Sequence, residues 1–288
     1  MSQLAPGEEG VRAWRFFSSP HDQVTSLLEF CRALGIYGVA SLYPSDSYGQ
    51  RMNDNLVQAA GSYGISVTQQ AYHPDNADVW GPAVKNLLQT RAGAGFDAVF
   101  LPDTWPNAKG IAPYFFFNRE DRLVIMGTTL WEQSLYNDRS PDASYFNLGV
   151  FPGSWSNNSN SAACQSLIRI LSQTGAASND PAAAGMGNVK ADFWYALGFD
   201  FVRFGMTMSG QAPGADAGWD AQQVNARLQR AQNIDWSMAP LSWDSAGRVS
   251  QQMFLFTPTE DGFAQISLEE MQRRISEVKR LHGQRWGR

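Results

Sequence analysis

The chain has 288 residues, of which 43% are hydrophobic and 17% charged. That is enough apolar material for two lobes or one large α/β unit, and too much for a disordered chain. A net charge of −5 and a pI near 5.2 argue against nucleic acid and anionic membrane as main partners.

The first half alternates between strands and helices. "VRAWRFF" (residues 11–17) reads as a strand. "HDQVTSLLEFCRAL" places Val24, Leu27, Leu28, Cys31 and Leu34 on one helical face, with Gly35 closing it. "YGVASLY" is a buried strand, "SYGQRMNDNLVQAAGSYG" a helix, and "ISVTQQAY" an alternating strand. "DVWGPAVKNLLQTRAG" is a helix interrupted early by Gly81-Pro82, and "FDAVFLP" a strand. "NAKGIAPYFFFN" is a helix with an irregularity at Pro113, and "RLVIMG" a strand. Strands that alternate with helices of ten or more residues imply parallel βαβ units.

The pattern changes after about residue 145. "YFNLGVFP" is apolar and extended, and residues 154–175 read as a helix with a polar start. Residues 178–188 form a loop. "VKADFWYALGFDFVRFGMTMSG" is an almost wholly apolar helix, expected to be buried on most sides. Residues 220–232 form a short amphipathic helix. "APLSWDSAGRVSQQMFLFTPTEDG" reads as two extended segments about an Asp-Ser-Ala-Gly turn. The C-terminal helix carries Leu268, Met271, Ile275, Val278 and Leu281 on one face, with Ser267 and Glu270 as a capping box.

The chemistry of common enzyme classes is missing from the sequence. His21, His73 and His282 have no second ligand at metal spacing, and no nucleophile elbow, phosphate loop or dinucleotide fingerprint occurs. Glu120-Asp121 and Glu260-Asp261 read as solvated turn charges. Cys31 and Cys164 read as buried free thiols, with one disulfide as the alternative. No apolar run is long enough to span a membrane. "MSQLAPGEEG" has neither a basic nor an apolar signal region, so no signal peptide is expected in this chain.

In open parallel sheets, ligands bind beyond the carboxyl ends of the strands. Ser45-Asp46-Ser47-Tyr48 follows "VASLY", Asp103-Thr104-Trp105 follows "AVFLP", and Thr128-Thr129-Leu130-Trp131 follows "LVIMG". Three successive strand ends thus offer hydroxyls beside an aromatic ring, a rim for stacking and orienting a small molecule. Equally, the rings can anchor loops while the hydroxyls cap helices.

"WRFFSSPHDQ", "YGVASLYPSDSYGQ", "YHPDNADVWGPAVKNLL", "GFDAVFLPDTWPNAKGIA" and "APLSWDSAGRVSQQMFLF" occur in an order that resembles the type I periplasmic binding proteins, in particular the leucine/isoleucine/valine-binding branch. The similarity runs from about Val11 to Gly262. It implies an α/β fold of two lobes with parallel sheets flanked by helices. Residues 11–149 would form a ligand-binding lobe and 150–248 the remainder of the other. Residues 249–262 would be a return strand at the hinge, followed by a helix over 263–288. Family members begin with a further βαβ half-lobe, so the first lobe is expected to be incomplete here. Its apolar helix over 190–210 would then be exposed, and a second copy of the chain could cover it.

The resemblance implies a non-enzymatic receptor that holds a small ligand between its lobes and needs no cofactor. Its ligand-binding candidates are Tyr48, Asp103, Thr104, Trp105, Thr128, Thr129 and Trp131, with Tyr48 and Trp105 facing one groove. The family acid that would hold a ligand ammonium falls near Thr129, which is not acidic; Asp103 or Glu132 is the available substitute. "RLVIMGTTLW" and "FWYALGFDFVRF" also resemble the lipoprotein activators of penicillin-binding proteins. That relative implies contact with a cell-envelope protein. In both cases the parent protein would be periplasmic or anchored in the outer membrane.

Overall fold

The computed structural model describes residues 7–137, 143–177, 192–209 and 220–286. The loop expected at 178–188 lies outside the described residues. Two compact units result. One holds Pro20–Gly153 and the chain from Leu255 onward; the other holds the stretch up to Ser19 and Ser154–Phe254. The expected lobe boundary near 149 therefore lies within a strand, the expected return strand over 249–262 is divided between the units after Phe254, and the C-terminal helix belongs with Pro20–Gly153.

The first unit is built on a sheet. Its elements are α1 (Pro20–Ala33), β1 (Gly38–Pro44), α2 (Ser47–Ala60), β2 (Ser66–Tyr72), α3 (Trp80–Ala94), β3 (Ala98–Phe100), α4 (Trp105–Phe117), β4 (Val124–Met126), α5 (Leu130–Asn137) and β5 (Gly149–Gly153). The seven-stranded sheet runs β2-β1-β3-β4-β5-β8-β9, where β8 is Phe254–Thr259 and β9 is Gly262–Gln265. The pairs β1–β2, β1–β3, β3–β4 and β4–β5 are parallel; β8–β9 is antiparallel. Because β2 and β3 lie on opposite sides of β1, the order reverses there. In open parallel sheets ligands bind beside such a reversal, beyond the carboxyl ends of the strands.

Packing explains these elements. The helical spacing of α1 buries Val24, Leu27, Leu28 and Cys31 completely against Val39, Phe100 and Met126 of the sheet. Burying each leucine contributes about 1.5–3 kcal/mol. The C-terminal helix, Leu268–Trp286, adds Met271 and Val278 to the same core. Its Ser267 hydroxyl accepts from the Glu270 N–H at 3.2 Å, while the Glu270 carboxylate accepts from Arg273 and Arg274 rather than completing the box. Gly81-Pro82 falls in the first turn of α3, where a missing donor is harmless, so the helix begins at Trp80 without interruption.

The second unit is helical. It contains α6 (Ala162–Ala177), α7 (Phe193–Ser209), α8 (Ala221–Leu228) and the antiparallel hairpin of β6 (Leu241–Trp243) and β7 (Val249–Gln251). Trp155, Cys164, Leu167, Trp236 and Trp243 form its core, with Trp14 and Phe16 packed against them. Asp200 is fully buried, and its carboxylate accepts the N–H groups of Ser237 at 2.9 Å and Met238 at 3.0 Å.

Four further expectations change. Residues 11–17 are not a strand, since their backbone offers only a bridge between Glu9 and Ala13. Trp14 is tied instead by its indole N–H to Asn225 Oδ1 at 2.6 Å. Trp14 and Phe16 are partly buried against the core of the helical unit instead of pairing as a strand. Helix α6 begins at Ala162 rather than near 154, because Ser156 and Ser159 accept backbone N–H groups locally and compete with the helix. Helix α7 is not buried on most sides: Trp194, Phe201, Val202 and Met206 are exposed. Finally, Glu120-Asp121 is not a pair of solvated charges. Glu120 is bonded to Arg91, and Asp121 meets His282 at 2.5 Å and Arg285 at 3.5 Å.

Candidate functional site

The site expected from the sequence lies at the carboxyl ends of β1, β3 and β4. The turn after β1 is shaped by two residues. Asp46 caps α2, its Oδ1 accepting the Gly49 N–H at 2.7 Å. A side chain at Gly49 would lie 2.1 Å from the Pro44 carbonyl oxygen, so only glycine lets the helix start this close to the strand. Together they set Tyr48 at the strand end, half-buried. Its hydroxyl donates to Thr128 Oγ1 at 3.0 Å, linking the ends of β1 and β4. Burial pushes the Tyr48 phenol up to about 12.

After β3, Asp103 is held on every side. Its Oδ2 accepts from the Tyr72 hydroxyl at 2.5 Å and from Asn107 Nδ2 at 3.0 Å; its Oδ1 accepts the Thr104 N–H at 2.6 Å. Burial, then the adjacent Asp103 charge, hold the Tyr72 phenol far above its ordinary range, so Tyr72 remains a donor. The Asp103 carbonyl accepts the Trp131 indole N–H at 3.0 Å.

The two tryptophans do not line a groove. Trp105 is 1% exposed and Trp131 0% exposed. Their rings meet edge-on with centroids 5.4 Å apart, and Phe146 packs against both. Trp131 reaches this position because Gly127 lacks a side chain, for a Cβ there would lie 2.2 Å from the indole. The expectation that Tyr48 and Trp105 share an open groove is therefore overturned, because Trp105 is buried among neighbouring rings. Thr129 donates through its N–H and hydroxyl to Gln23 Oε1, at 3.1 and 3.2 Å. Thr104 remains exposed and Thr128 is fully buried.

The structure thus gathers all seven candidates at one edge of the sheet, but as an internally bonded wall. Tyr72, Gln23 and Asn107 belong to that wall and were missed in the sequence. Tyr72 was legible in principle as the last residue of its strand, level with Pro44. Gln23 lies on α1 and had no local signal. Among the described residues, no group of three or more His, Cys, Asp or Glu is placed to hold a metal. No helix among them is long and apolar enough to cross a membrane.

No protein-family model matches the chain, and no curated protein sequence does. Solved structures do. An ABC transporter substrate-binding protein from Desulfitobacterium hafniense superposes with a TM-score of 0.61 at 13% identity, covering 86% of this chain and 66% of that one. The leucine-binding protein LivK from Thermotoga maritima gives 0.59 at 11%, covering 88% and 67%. The C-domain of LpoA from Haemophilus influenzae, a regulator of PBP1A, gives 0.54 at 15%, covering 86% and 67%. The chain thus spans about two thirds of the length of these structures. Its fold is the α/β fold of the type I periplasmic binding proteins.

Proposed function

We propose that this chain is an extracytoplasmic recognition domain that acts by contacting another cell-envelope protein rather than by holding a free amino acid, a reading that its likeness to the LpoA C-domain, a regulator of PBP1A, supports. One observation carries the reading. Asp103, the buried acid at the strand ends, already accepts three hydrogen bonds from its own chain. Thr129 stands where a receptor acid would be, and a buried ammonium without a carboxylate is costly. The exposed apolar residues of α7, Trp194, Phe201, Val202 and Met206, add support, because large apolar side chains left in water often mark a protein contact. The role is recognition, not catalysis, and the parent protein is periplasmic or outer-membrane-anchored in this reading.

The second reading is a solute receptor of the branched-chain amino acid transporter type. Half-buried Tyr48 at the sheet's reversal point favours it, with Thr104 and Thr129 as the nearest polar contacts for a ligand. Biolayer interferometry against a purified PBP1A-type synthase separates the two. Saturable binding, unchanged by added amino acids, is expected. No binding to the synthase, together with tight binding of a branched-chain amino acid, overturns the reading. Sedimentation of the chain alone checks whether a second copy covers α7 instead.

A further inference from the structure

The two edges of the sheet differ. β9, at one end, has four residues and follows the acidic Glu260-Asp261 turn. β2, at the other end, has seven residues, with no charge and no proline among them. It pairs with β1 residue by residue, without a bulge. Proteins usually blunt a free edge with charge, proline, a bulge or a short strand, because its unpaired N–H and C=O groups template another strand. β2 carries none of these devices.

Hydrogen bonds fix which of its groups are free. The Ser66 N–H donates to the Tyr37 carbonyl at 2.9 Å, and the Tyr72 carbonyl accepts the Ser45 N–H at 2.8 Å. Bonding residues alternate along a parallel pair, so Ser66, Thr68, Gln70 and Tyr72 face β1. Val67, Gln69 and Ala71 therefore turn their N–H and C=O groups outward. Among the described residues, the one partner these groups have is the side-chain amide of Gln70, which donates to the Ala71 carbonyl at 2.8 Å. Gln69 and Ala71 are exposed, and only Tyr72 of the strand is buried.

A row of backbone donors and acceptors at strand spacing fits another extended backbone. Charge points to which one. About a two-fold axis the central residues meet their own copies, so a charged strand would repel itself. β2 is uncharged and self-complementary about Gln69. In the antiparallel register that opposes Gln69 to Gln69 of the second copy, Val67 meets Ala71 as an apolar pair. Thr68 meets Gln70 as a polar pair, and the two central amides can bond each other.

We propose that two copies of this chain pair through β2, antiparallel about a two-fold axis at Gln69, with Val67, Gln69 and Ala71 exchanging N–H and C=O groups across it. The contact uses neither α7 nor Asp103, so it stands whichever partner those serve.

Sedimentation equilibrium of the whole chain between about 10 and 500 µM should show a monomer–dimer equilibrium, because a strand-edge contact lies at the small, weak end of interfaces. Gln69→Lys sets like charges opposite each other and should weaken the dimer about five-fold or more. Phe201→Ser on α7 should leave it unchanged. Gln69→Cys reads the register: the two Cα atoms would lie about 5.5 Å apart, within disulfide reach, so oxidation with copper phenanthroline should link the copies. Ala71→Cys, also exposed, should not link, because it faces Val67 rather than itself. The native Cys31 and Cys164 are buried and do not compete. A chain that stays monomeric across that range overturns the proposal. So does a dimer unweakened by Gln69→Lys or lost in Phe201→Ser, or an Ala71→Cys chain that links as readily as Gln69→Cys.

Discussion

The Tyr72 hydroxyl donates to Asp103 Oδ2 at 2.5 Å, closing the acid at the end of β3 with a side chain from the end of β2. A buried hydrogen bond to a charged group contributes about 1.5–3 kcal/mol. Tyr72→Phe keeps the ring and removes the donor, so it should lower unfolding stability by about that amount in urea titrations. A loss below about 0.5 kcal/mol would mean that Asp103 finds another donor, weakening the picture of a bonded wall.

Trp105 is expected to matter for stability first. Its ring lies between Trp131 and Phe146 with almost no exposure. Trp105→Ala should cost about 3–5 kcal/mol, as large-to-small changes of buried aromatics do. Thermal unfolding measures it. A loss under about 1 kcal/mol would show the ring to be free of its neighbours.

Both cysteines are free and buried. Burial pushes the Cys31 thiol up to about 12, so little thiolate exists at neutral pH. Alkylation of the native protein should leave Cys31 unmodified, whereas alkylation of the unfolded, unreduced chain should modify both thiols. Mass spectrometry reads the outcome, and an unfolded chain lacking both adducts would reveal a disulfide.

Glu270 offers a pH test. Hydrogen bonds from Arg273 and then Arg274 pull its carboxyl from 4.5 down to about 2. A depressed folded-state value means that the unfolded chain binds the proton more readily. The contribution is therefore fully present above about pH 4.5 and is lost as pH falls towards about 2. The side chain is about a third exposed and screened by water, so the effect is small. Glu270→Gln should unfold at a lower urea midpoint than the parent at neutral pH. The difference should shrink on acidification; one that grew instead would contradict the sign.

Much of the sheet unit was legible because local signals agreed. The spacing of Val24, Leu27, Leu28 and Cys31 fixed α1, and the apolar run after Gly38 fixed β1. The strand ends carrying Tyr48, Asp103 and Thr128 followed from the βα alternation. Their partners did not, because Tyr72, Gln23 and Phe146 come from elements distant in sequence. A tryptophan after a strand reads the same whether it faces solvent or a neighbouring ring; Gly127, which admits the Trp131 indole, settles it only in three dimensions. The helical unit was less legible. Its serines compete with helix backbone, and α7 is apolar on faces that the described structure leaves exposed.

The central claim is that Asp103, which already accepts three hydrogen bonds from its own chain, does not serve as the acid for an amino-acid ammonium. Isothermal titration of the purified chain with leucine, isoleucine and valine tests it most directly. The account predicts no binding tighter than millimolar. Micromolar or tighter binding of any of the three would contradict it, and would mean that Asp103 or Glu132 meets the ligand ammonium after all.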